Sequence, residues 1–415
     1  MRKYIFMTTS TKDVGGNQCY VAAKAKYLEE EGWEVFVFCS AAKPKSIHCP
    51  ISFLEKYLKK GNITAMGLPP FMLPKFMVRR TLNRMVKSLG TIDPSEDCIV
   101  ESHMDVDSQW GELLASRIGA RHYNYMMPEE YRKGKSYEKK MDFYIYKFKR
   151  KELLGSMNSF PRLFEGHLNV SESDFPAAVL IDESPIQDVF NEKVDKLERK
   201  DWNICYIGRG NKSYVTNIIA DTAKFAAQYP QKNIQLVFVS DNLITHQELI
   251  EEVQQTSSNL SINNLGMLHP IPKMLYEKVD VVIAGSGSAR HSCEEGALVI
   301  VADQESKQSV GILGYETMNS VFRDEDSVLS DFCDALKRVL VNKDYLNKQN
   351  KWPEKMGVAK CTEQNFWLFS QSERKLEYYD ENKLLEGRVD LVKIIKWYVY
   401  RFFPFFVLKL RKIYK

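Results

Sequence analysis

Short apolar runs alternate with amphipathic stretches from the first residues of the chain. KYIFMT (3–8) is an apolar run that predicts a buried strand, and EVFVFC (34–39) predicts a second one. Between them, a Gly-Gly turn at Gly15 and Gly16 leads into QCYVAAKAKYLEEEG, which predicts a helix that Gly32 ends. A strand, a helix and a strand in this order are typical of a parallel α/β sheet.

The same alternation continues through both halves of the chain. In the first half we predict strands over 98–102, 121–126 and 177–185, with the helical stretch SQWGELLASRIGA between the first two. In the second half, four apolar runs predict strands: NICYI (203–207), IQLVFVS (234–240), VDVVIAG and ALVIVAD. Each half therefore has the pattern of a doubly wound sheet.

This pattern predicts an α/β fold with two Rossmann-like, doubly wound parallel-sheet domains that face a central cleft. We assign 1–185 to a first domain and 201–365 to a second domain, joined by the polar linker 186–200. Residues 366–415 are predicted to form a returning helix and a basic, aromatic tail. Ligands of open parallel sheets bind outside the carboxyl ends of the strands, so the functional motifs are expected there.

Composition narrows the class of protein. The chain has 415 residues, of which 44% are hydrophobic and 27% are charged, which is the balance of a folded globular protein. The opening MRKYIFMTTS is too short an apolar run for a secretion signal, so we expect a cytoplasmic protein. Eight cysteines show no paired or metal-ligand spacing, and we interpret them as reduced core residues. No metal site is predicted.

The net charge of +4 conceals three strongly basic segments. Residues 68–87 carry five basic residues and no acid, 132–151 carry nine against two acids, and 391–415 carry seven and no acid. Such clustering usually faces an anionic partner. The last segment also holds Trp397, Tyr398 and the run FFPFFVL, a mixture that resembles an interfacial membrane anchor.

We therefore predict a peripheral protein on the inner face of the plasma membrane, bound through 391–415. Residues 68–87 either contribute to this binding or form an ordinary core-facing helix with a basic outer face. No nucleic-acid-binding motif accompanies the basic segments, so a nucleic-acid partner is not expected.

Two loops of the second domain have the chemistry of a phosphate site. Arg209 and Lys212 follow the first predicted strand of that domain, and their cationic groups suit a diphosphate, although such residues are often simply solvated. The loop Gly285-Ser286-Gly287-Ser288 follows VDVVIA and precedes a short helix predicted over 289–295. Amides at such a helix start can hold a diphosphate.

The second loop nearly matches the dinucleotide fingerprint GxGxxG, with Arg290 in place of the third glycine. A nucleotide-dependent oxidoreductase is therefore an alternative interpretation, and Asp303 at the end of the next strand agrees with it. Against it, only eight residues separate Ser288 from Ala297, which is too short for the crossover helix of a dinucleotide fold. The motif also lies late in its domain.

The motifs VGGNQCYVAAKAKYLEEEGWEVFVFCS, AAVLIDESPIQDVF, YIGRGNKS and NNLGMLHPIPKMLYEKVDVVIAGSGSARHSCEEGALVIVAD together resemble the family-four type of glycosyltransferases over most of 3–341. The resemblance implies the GT-B fold, a nucleotide-sugar donor bound by the second domain and catalysis without a metal or other cofactor. It also implies retention of the anomeric configuration, and that Arg209 and Lys212 contact the donor diphosphate.

Further donor-binding residues follow from the same resemblance. The chain lacks the family's pair of glutamates separated by seven residues, so Glu294 and Glu295 remain as the carboxylates for a ribose or sugar contact, or as a solvated helix end. His291 is an alternative sugar contact. The other implied donor contacts are Gly15, Gly16, Asn17, Ser240, Asp241, Gly266, Met267, Leu268, Gly285, Ser286, Gly287 and Ser288.

His103 and Glu101 are predicted at a strand end of the first domain, and Asp105 follows them. There His103 could orient the acceptor or the sugar, and Asp105 could act as a base if transfer inverts the anomer, although a lone histidine is more often structural. Breaking the bond from sugar to diphosphate creates an oxocarbenium-like centre and a departing anion. Fixed cations and amides at the diphosphate lower that barrier.

The sequence therefore predicts a glycosyltransferase that moves a sugar from a nucleoside diphosphate, with UDP as the expected nucleotide, to a glycan or lipid-linked acceptor in surface polysaccharide biosynthesis. A catalytically degenerate binding subunit and the oxidoreductase are the alternatives.

Overall fold

The computed structural model of the chain describes most of its residues. The described ranges are 2–8, 16–40, 56–57, 64–92, 97–103, 105–126, 138–155, 160, 163–170, 190–241, 243–320, 323, 327, 329–353, 357–373 and 375–402.

Strands of the described residues form two sheets. Their bounds are β1 (Lys3–Thr8), β2 (Glu34–Cys39), β3 (Cys98–His103), β4 (Arg121–Met126), β5 (Leu153–Gly155), β6 (Trp202–Ile207), β7 (Ile234–Val239), β8 (Leu260–Asn264), β9 (Val281–Ala284), β10 (Val299–Ala302) and β11 (Ser309–Ile312).

Helices cover both faces of the sheets. They are α1 (Gly16–Glu30), α2 (Lys75–Leu89), α3 (Asp105–Ile118), α4 (Met141–Lys149), α5 (Glu192–Asp195), α6 (Val215–Gln228), α7 (Gln247–Thr256), α8 (Lys273–Lys278), α9 (Ser286–Glu294), α10 (Phe332–Leu336), α11 (Val358–Ser370), α12 (Glu381–Leu385) and α13 (Leu391–Phe402). Short 3₁₀ helices lie at Thr64–Gly67, Pro70–Met72, Glu138–Lys140, Ile244–His246 and Asp344–Asn347. A π-helical turn, Lys337–Val341, follows α10 directly.

The chain divides into two compact units. Unit 1 comprises 1–183 and 356–415, and unit 2 comprises 184–355. The predicted linker 186–200 falls within unit 2, where its helix α5 packs on α8. The predicted second domain ran to residue 365, whereas α11 begins at Val358 and packs on α1 of unit 1.

Unit 1 is built on the parallel sheet β2-β1-β3-β4-β5. Side chains of β1 alternate between two layers because successive residues of a strand point to opposite faces. Tyr4 and Phe6 pack with α1 and α11, and Ile5 and Met7 pack with α2, α3 and α13. Both faces are thus covered, which explains why the strands are near-continuous apolar runs.

Unit 2 is built on the sheet β11-β10-β9-β6-β7-β8, which is parallel except for β11. Tyr206 of β6 packs on the side of α6 and α10, and Cys205 and Ile207 pack on the side of α5, α8 and α9. The two-sheet α/β prediction is confirmed. The predicted strand at 177–185, by contrast, lies outside the described residues.

Three short strands were missed by the sequence analysis. These are β5 (LLG), β8 (LSINN) and β11 (SVGI), each of which lies at an edge of its sheet. In β8 the last two residues, Asn263 and Asn264, are exposed. An edge strand needs fewer apolar residues than a central strand, so its sequence carries a weaker signal.

Candidate functional site

The order of strands in unit 2 brings the predicted donor-binding loops to one edge of the sheet. Strands β10, β9, β6, β7 and β8 are neighbours in that order and all run parallel. The last residue of β6, Ile207, is in register with Ala284 of β9 and with Val239 of β7. The loops after these strands, predicted separately from the sequence, are therefore adjacent in space.

The loop after β6 is held by hydrogen bonds from both of its sides. The Tyr206 hydroxyl donates to the Arg209 carbonyl over 2.9 Å, and the Gly210 amide donates to Asp241 Oδ1 over 3.1 Å. His246 Nε2 lies 2.8 Å from the Gly210 carbonyl oxygen. Arg209 itself is exposed. Its backbone is thus fixed while its guanidinium stays accessible to a ligand, and Asp241 contributes by supporting this loop.

Lys212 extends the same loop toward the end of β10. Its ammonium donates to Gln304 Oε1 over 2.8 Å, and the Ser213 hydroxyl donates to the Gln304 carbonyl over 2.9 Å. A neutral amide oxygen leaves the positive charge of the lysine in place. Gln304 therefore positions this cation without neutralising it.

The loop after β9 leads directly into α9. A Cβ on Gly285 would lie 2.9 Å from the Ala302 carbonyl oxygen and 3.3 Å from the Tyr214 hydroxyl, so the position is too crowded for a larger residue. The next residue, Ser286, has φ +59 and donates its amide to the Ser320 carbonyl over 2.5 Å. The helix begins at Ser286, earlier than the predicted 289.

This earlier start changes which backbone groups can meet an anion. The first amides of a helix have no partner within it and lie at the positive end of its dipole. In α9 these amides belong to Gly287 and Ser288, the small residues that the sequence analysis selected. The start of α9 lies at the end of β9, beside the Arg209 loop at the end of β6.

The carboxylates of α9 lie at its other end. Glu294 lies eight positions after Ser286 in the helix, which is about 12 Å along the axis at 1.5 Å per residue. Glu294 lies 3.6 Å from the buried Arg290 guanidinium, and the His291 ring meets Tyr276 edge-on with centroids 6.4 Å apart. Glu295 caps the helix, its amide donating to the His291 carbonyl. Glu294 is thus engaged in an ion pair.

The loops after β7 and β8 complete this edge. Ser240 is buried, and no described residue bonds its hydroxyl. Gly266 has φ +77, which a glycine adopts without strain, and its amide donates to Asn264 Oδ1. The following Met267 is 46% exposed, and Leu268 is half-buried.

A cation that the sequence analysis assigned to the linker also reaches this edge. Lys193 of α5 donates to the Leu265 carbonyl over 3.0 Å. No local pattern marks this contact, because it depends on α5 folding against the end of β8.

His103 in unit 1 is buried in a network of charges. Its Nε2 lies 2.8 Å from Glu101 Oε1, and Glu101 also accepts from Lys24 Nζ at 2.7 Å and Tyr20 OH at 2.6 Å. The Tyr4 hydroxyl bonds the same carboxylate. Burial alone would raise the pKa of Glu101, but Lys24 and His103 outweigh burial and hold that pKa below its usual range. The bond to Glu101 therefore gives His103 a structural role in the core of unit 1.

Asp105 begins α3 and accepts hydrogen bonds from the Tyr144 hydroxyl at 2.9 Å and Gln109 Nε2 at 3.2 Å. Its neighbour Asp107, which the sequence analysis did not select, is fully buried, and no described residue bonds either of its carboxyl oxygens. Burial and the charge of Asp105 raise the pKa of Asp107 well above its usual range, which favours the protonated acid.

A second buried chain of polar groups lies on the other face of the sheet. The Ser102 hydroxyl is 2.8 Å from His122 Nε2, and His122 Nδ1 is 2.6 Å from Glu112 Oε2. This order of groups is that of a hydrolytic triad. However, Ser102 is fully buried, and a Cβ on Gly111 would lie 1.9 Å from its hydroxyl oxygen. The α3 backbone thus covers the serine, so this chain is structural.

The start of α1 gives a limited view of the Gly-Gly turn. Gly15 lies outside the described residues, and Gly16 is the first residue of the helix. Asn17 Nδ2 donates to Thr8 Oγ1 over 2.8 Å, which ties the helix start to the end of β1. Asn17 Oδ1 is buried, and no described residue bonds it.

The described residues contain one group with metal-ligand geometry. Ligand atoms of Asp331, Cys333 and Asp334 lie within 4.8 Å of one another. Asp331 caps α10 by accepting from the Asp334 amide, which accounts for this grouping without an ion.

No family model matches the sequence, and a comparison with curated proteins finds no significant match. Solved structures with the same fold are similar to the whole chain. A putative UDP-N-acetylglucosamine 2-epimerase from Listeria monocytogenes is 12% identical, with a TM-score of 0.56 over 91% of this chain and 99% of that chain. Anabaena HepE in complex with UDP and glucose is also 12% identical, with a TM-score of 0.56 over 89% of this chain and 100% of that chain.

A glycosyltransferase from Rickettsia africae is 13% identical, with a TM-score of 0.51 over 96% of this chain and 98% of that chain. At these identities the likeness concerns the fold. The two Rossmann-like units of this chain are those of the GT-B fold.

Proposed function

We propose that this protein is a glycosyltransferase that binds a nucleoside-diphosphate sugar, with UDP as the nucleotide, at the carboxyl edge of the unit 2 sheet. The observation that carries the proposal is the adjacency of the exposed Arg209, on its fixed loop, and the open amide end of α9. These two groups offer a cation and backbone donors to the same anion. Together, the Arg209 guanidinium and the amides of α9 would stabilise the negative charge of a diphosphate without a metal ion.

The residue roles follow from their places along this edge. Arg209, Lys212 and the amides of Gly287 and Ser288 would bind the departing diphosphate. The loop Gly266–Leu268 would receive the base, since it follows β8 on the other side of the Arg209 loop. Stabilising the diphosphate as it leaves lowers the barrier to transfer, because the negative charge on the leaving oxygen grows as the bond breaks.

Sugar and acceptor contacts are a finer part of the same proposal. The resemblance implies a ribose or sugar contact for His291, Glu294 or Glu295, and of these His291 lies nearest in the helix to the amides of Gly287 and Ser288. In unit 1, the buried His103 would act by positioning, whereas Asp105 and Asp107 are the carboxyl groups at the start of α3. The acceptor would be a glycan or a lipid-linked sugar, in the synthesis of a surface polysaccharide, with retention of the anomer as the resemblance to family-four enzymes implies.

The similar structures support a nucleotide-sugar ligand. HepE is described in complex with UDP and glucose, and the Rickettsia africae protein is described as a glycosyltransferase.

Titration with UDP, followed by transfer assays over a panel of nucleotide sugars, tests the proposal. The matched variants are Gly285→Val, whose side chain would enter the space of the Ala302 carbonyl, and Gly357→Ala, where nothing lies within 4 Å of the new Cβ. We expect Gly285→Val to abolish UDP binding and Gly357→Ala to retain it. Equal UDP binding by both variants would contradict the proposal, as would preferential binding of NAD(P), which favours the oxidoreductase.

Epimerisation of the donor is a second candidate, because UDP-N-acetylglucosamine 2-epimerases are among the similar structures. Incubation with UDP-N-acetylglucosamine and no acceptor separates the two reactions. Inversion at C2 of the sugar identifies an epimerase, and turnover only with an acceptor identifies a transferase. Tight UDP binding without any turnover would favour the degenerate binding subunit.

A further inference from the structure

Two segments far apart in the sequence lie side by side on the surface of unit 1. α2 carries buried Val78, Leu82 and Met85 toward the core, so it is the core-facing helix that the sequence analysis kept as an alternative. Its outer face is exposed and cationic. The exposed residues of this face are Lys75, Phe76, Arg79, Arg80, Asn83, Arg84 and Lys87.

The outer face of α2 contains a shallow groove. The groove has a volume of about 480 Å³, and its lining among the described residues consists of Phe76, Arg79, Arg80, Asn83, Arg84 and Lys87. No acid occurs between residues 68 and 87, so the positive charge of these residues is not compensated from within the segment.

α13 is attached beside this face at three points. The Asp390 amide donates to the Met72 carbonyl just before α13 begins. Trp397 Nε1 donates to the Thr64 carbonyl over 2.7 Å, and the indole lies where a Cβ on Gly67 would be, which only glycine permits. Ile394 is buried in the unit 1 core.

Tyr398 connects α13 to the cationic face of α2. Burial raises the pKa of Tyr398, and the nearby Arg84 and Arg80 counteract that rise. The second half of α13 therefore borders the arginines. Buried residues of α2 and α13 belong to the same hydrophobic core, and both helices present exposed residues at the surface of unit 1.

The outward face of α13 is apolar. Leu391, Val392 and Ile395 are 61–62% exposed, and Lys393 and Lys396 lie among them. Phe76 of α2 is 69% exposed. Large aliphatic side chains at this exposure, mixed with cations and without acids on the helix, are typical of a helix that lies in a membrane interface. Among the described helices, none has the length and apolar character needed to cross a bilayer.

We propose that the combined outer faces of α2 and α13 bind an anionic lipid bilayer, with the apolar side chains of α13 inserted at the headgroup boundary and the α2 groove bound to lipid phosphates. For a cytoplasmic protein this bilayer is the inner leaflet of the plasma membrane, whose anionic lipids attract basic segments. The surface belongs to unit 1, the unit that also contains the proposed acceptor-side carboxyl groups of α3. A lipid-linked acceptor would be available there.

The experiment is co-sedimentation of the full chain with vesicles of phosphatidylcholine, alone or mixed with phosphatidylglycerol. We expect binding that requires phosphatidylglycerol and weakens with salt. The variant Arg79→Gln/Arg80→Gln/Arg84→Gln should lose roughly a hundredfold in partition coefficient, because each cation near an anionic surface contributes about fivefold. The control Lys26→Gln/Lys351→Gln/Lys360→Gln, which removes three exposed cations elsewhere, should bind like the wild type.

A second variant, Leu391→Ser/Val392→Ser/Ile395→Ser, tests the apolar contribution. These side chains are exposed, so the fold should be retained, as thermal unfolding would verify. We expect weaker binding to the vesicles that contain phosphatidylglycerol, with an unchanged dependence on salt. A third variant ends at residue 402 and should keep its dependence on phosphatidylglycerol.

Three outcomes would overturn the proposal. The first is that the arginine variant binds vesicles like the wild type, and the second is that the chain ending at 402 loses all vesicle binding. The third is that an RNA duplex displaces the protein from vesicles while the serine variant binds RNA and vesicles as tightly as the wild type does. UDP binding is measured separately in solution, so failure of the membrane proposal leaves the proposed function untouched.

Discussion

The two units place the charged groups around their candidate site residues in opposite ways. Unit 1 buries them: Lys24, Glu101 and His103 are 0% exposed and bonded to one another. Unit 2 fills the interior of its sheet with apolar residues and puts its candidate binding groups on loops, where Arg209 is exposed. A charged group that is paired inside the protein is not available to bind a ligand, whereas an exposed charged group on a fixed loop can form a hydrogen bond or ion pair with one. Proximity to a strand end therefore does not by itself make a binding residue.

The largest expected effect comes from breaking the buried network of unit 1. Glu101→Leu leaves the ammonium of Lys24 buried without its carboxylate, and we expect a loss of about 3–5 kcal/mol in the free energy of unfolding. Urea denaturation measures this loss. The control is Glu192→Ala, which removes the exposed pair with Lys196, where both side chains are 71% exposed. That control should leave stability unchanged.

A double variant sharpens the same test. Lys24→Met/Glu101→Leu removes both charges, and we expect it to be more stable than Glu101→Leu because no unpaired ammonium remains, but less stable than the wild type because Tyr4 and Tyr20 still lack their acceptor. If Glu101→Leu is as stable as the wild type, the buried network does not stabilise unit 1, and the structural role given to its buried charges is wrong.

Unit 2 should respond in binding and not in stability. Arg209→Ala is expected to weaken donor binding and kcat/KM by about 2–3 kcal/mol, the range of a lost charged hydrogen bond, with the free energy of unfolding unchanged. Arg199→Ala is the matched control, because its guanidinium is half-exposed and pairs with Asp280. Calorimetry measures the affinity of both variants for UDP, and transfer assays measure their kcat/KM. Equal affinities for the two variants would remove Arg209 from the site.

Lowering the pH should destabilise the protein through His122, in the second buried group of hydrogen-bonded side chains of unit 1. Burial, followed by the charge of Lys147, lowers the pKa of His122 to about 4 from the ordinary 6.5. The unfolded chain therefore binds more protons than the folded chain between these values. We expect the free energy of unfolding to fall by about 1 kcal/mol per pH unit as the pH drops below about 6.5.

His122→Gln provides the comparison for that slope. A glutamine does not titrate, so the variant should show a flatter dependence of stability on pH between 6.5 and 4. Parallel slopes for the wild type and His122→Gln in urea denaturation at several pH values would show that His122 is not the titrating group.

Sequence patterns predicted the elements better than the contacts between them. Strands β1 and β6 are unbroken apolar runs, and the glycines after β6 and β9 mark loops at their carboxyl ends, so the adjacency of Arg209 and Gly285 followed once the sheet was assumed parallel. Polar edge strands such as β8 carry no such signal.

Partners distant in sequence were beyond this kind of reasoning. Lys24 and Glu101 are 77 positions apart, and the bond from Lys212 to Gln304 spans 92. Nothing local in α1 marks Lys24 as a buried cation, so the buried network in which Lys24 and His103 share Glu101 was not predicted. Such contacts depend on the order of strands in the sheet and on the helix that covers each face.

A crystal structure with bound UDP tests the central claim most directly. The account predicts that the diphosphate lies within hydrogen-bond distance of the Gly287 or Ser288 amide and of the Arg209 guanidinium. A diphosphate bound away from the carboxyl edge of the unit 2 sheet, with Arg209 still directed to solvent, would contradict it.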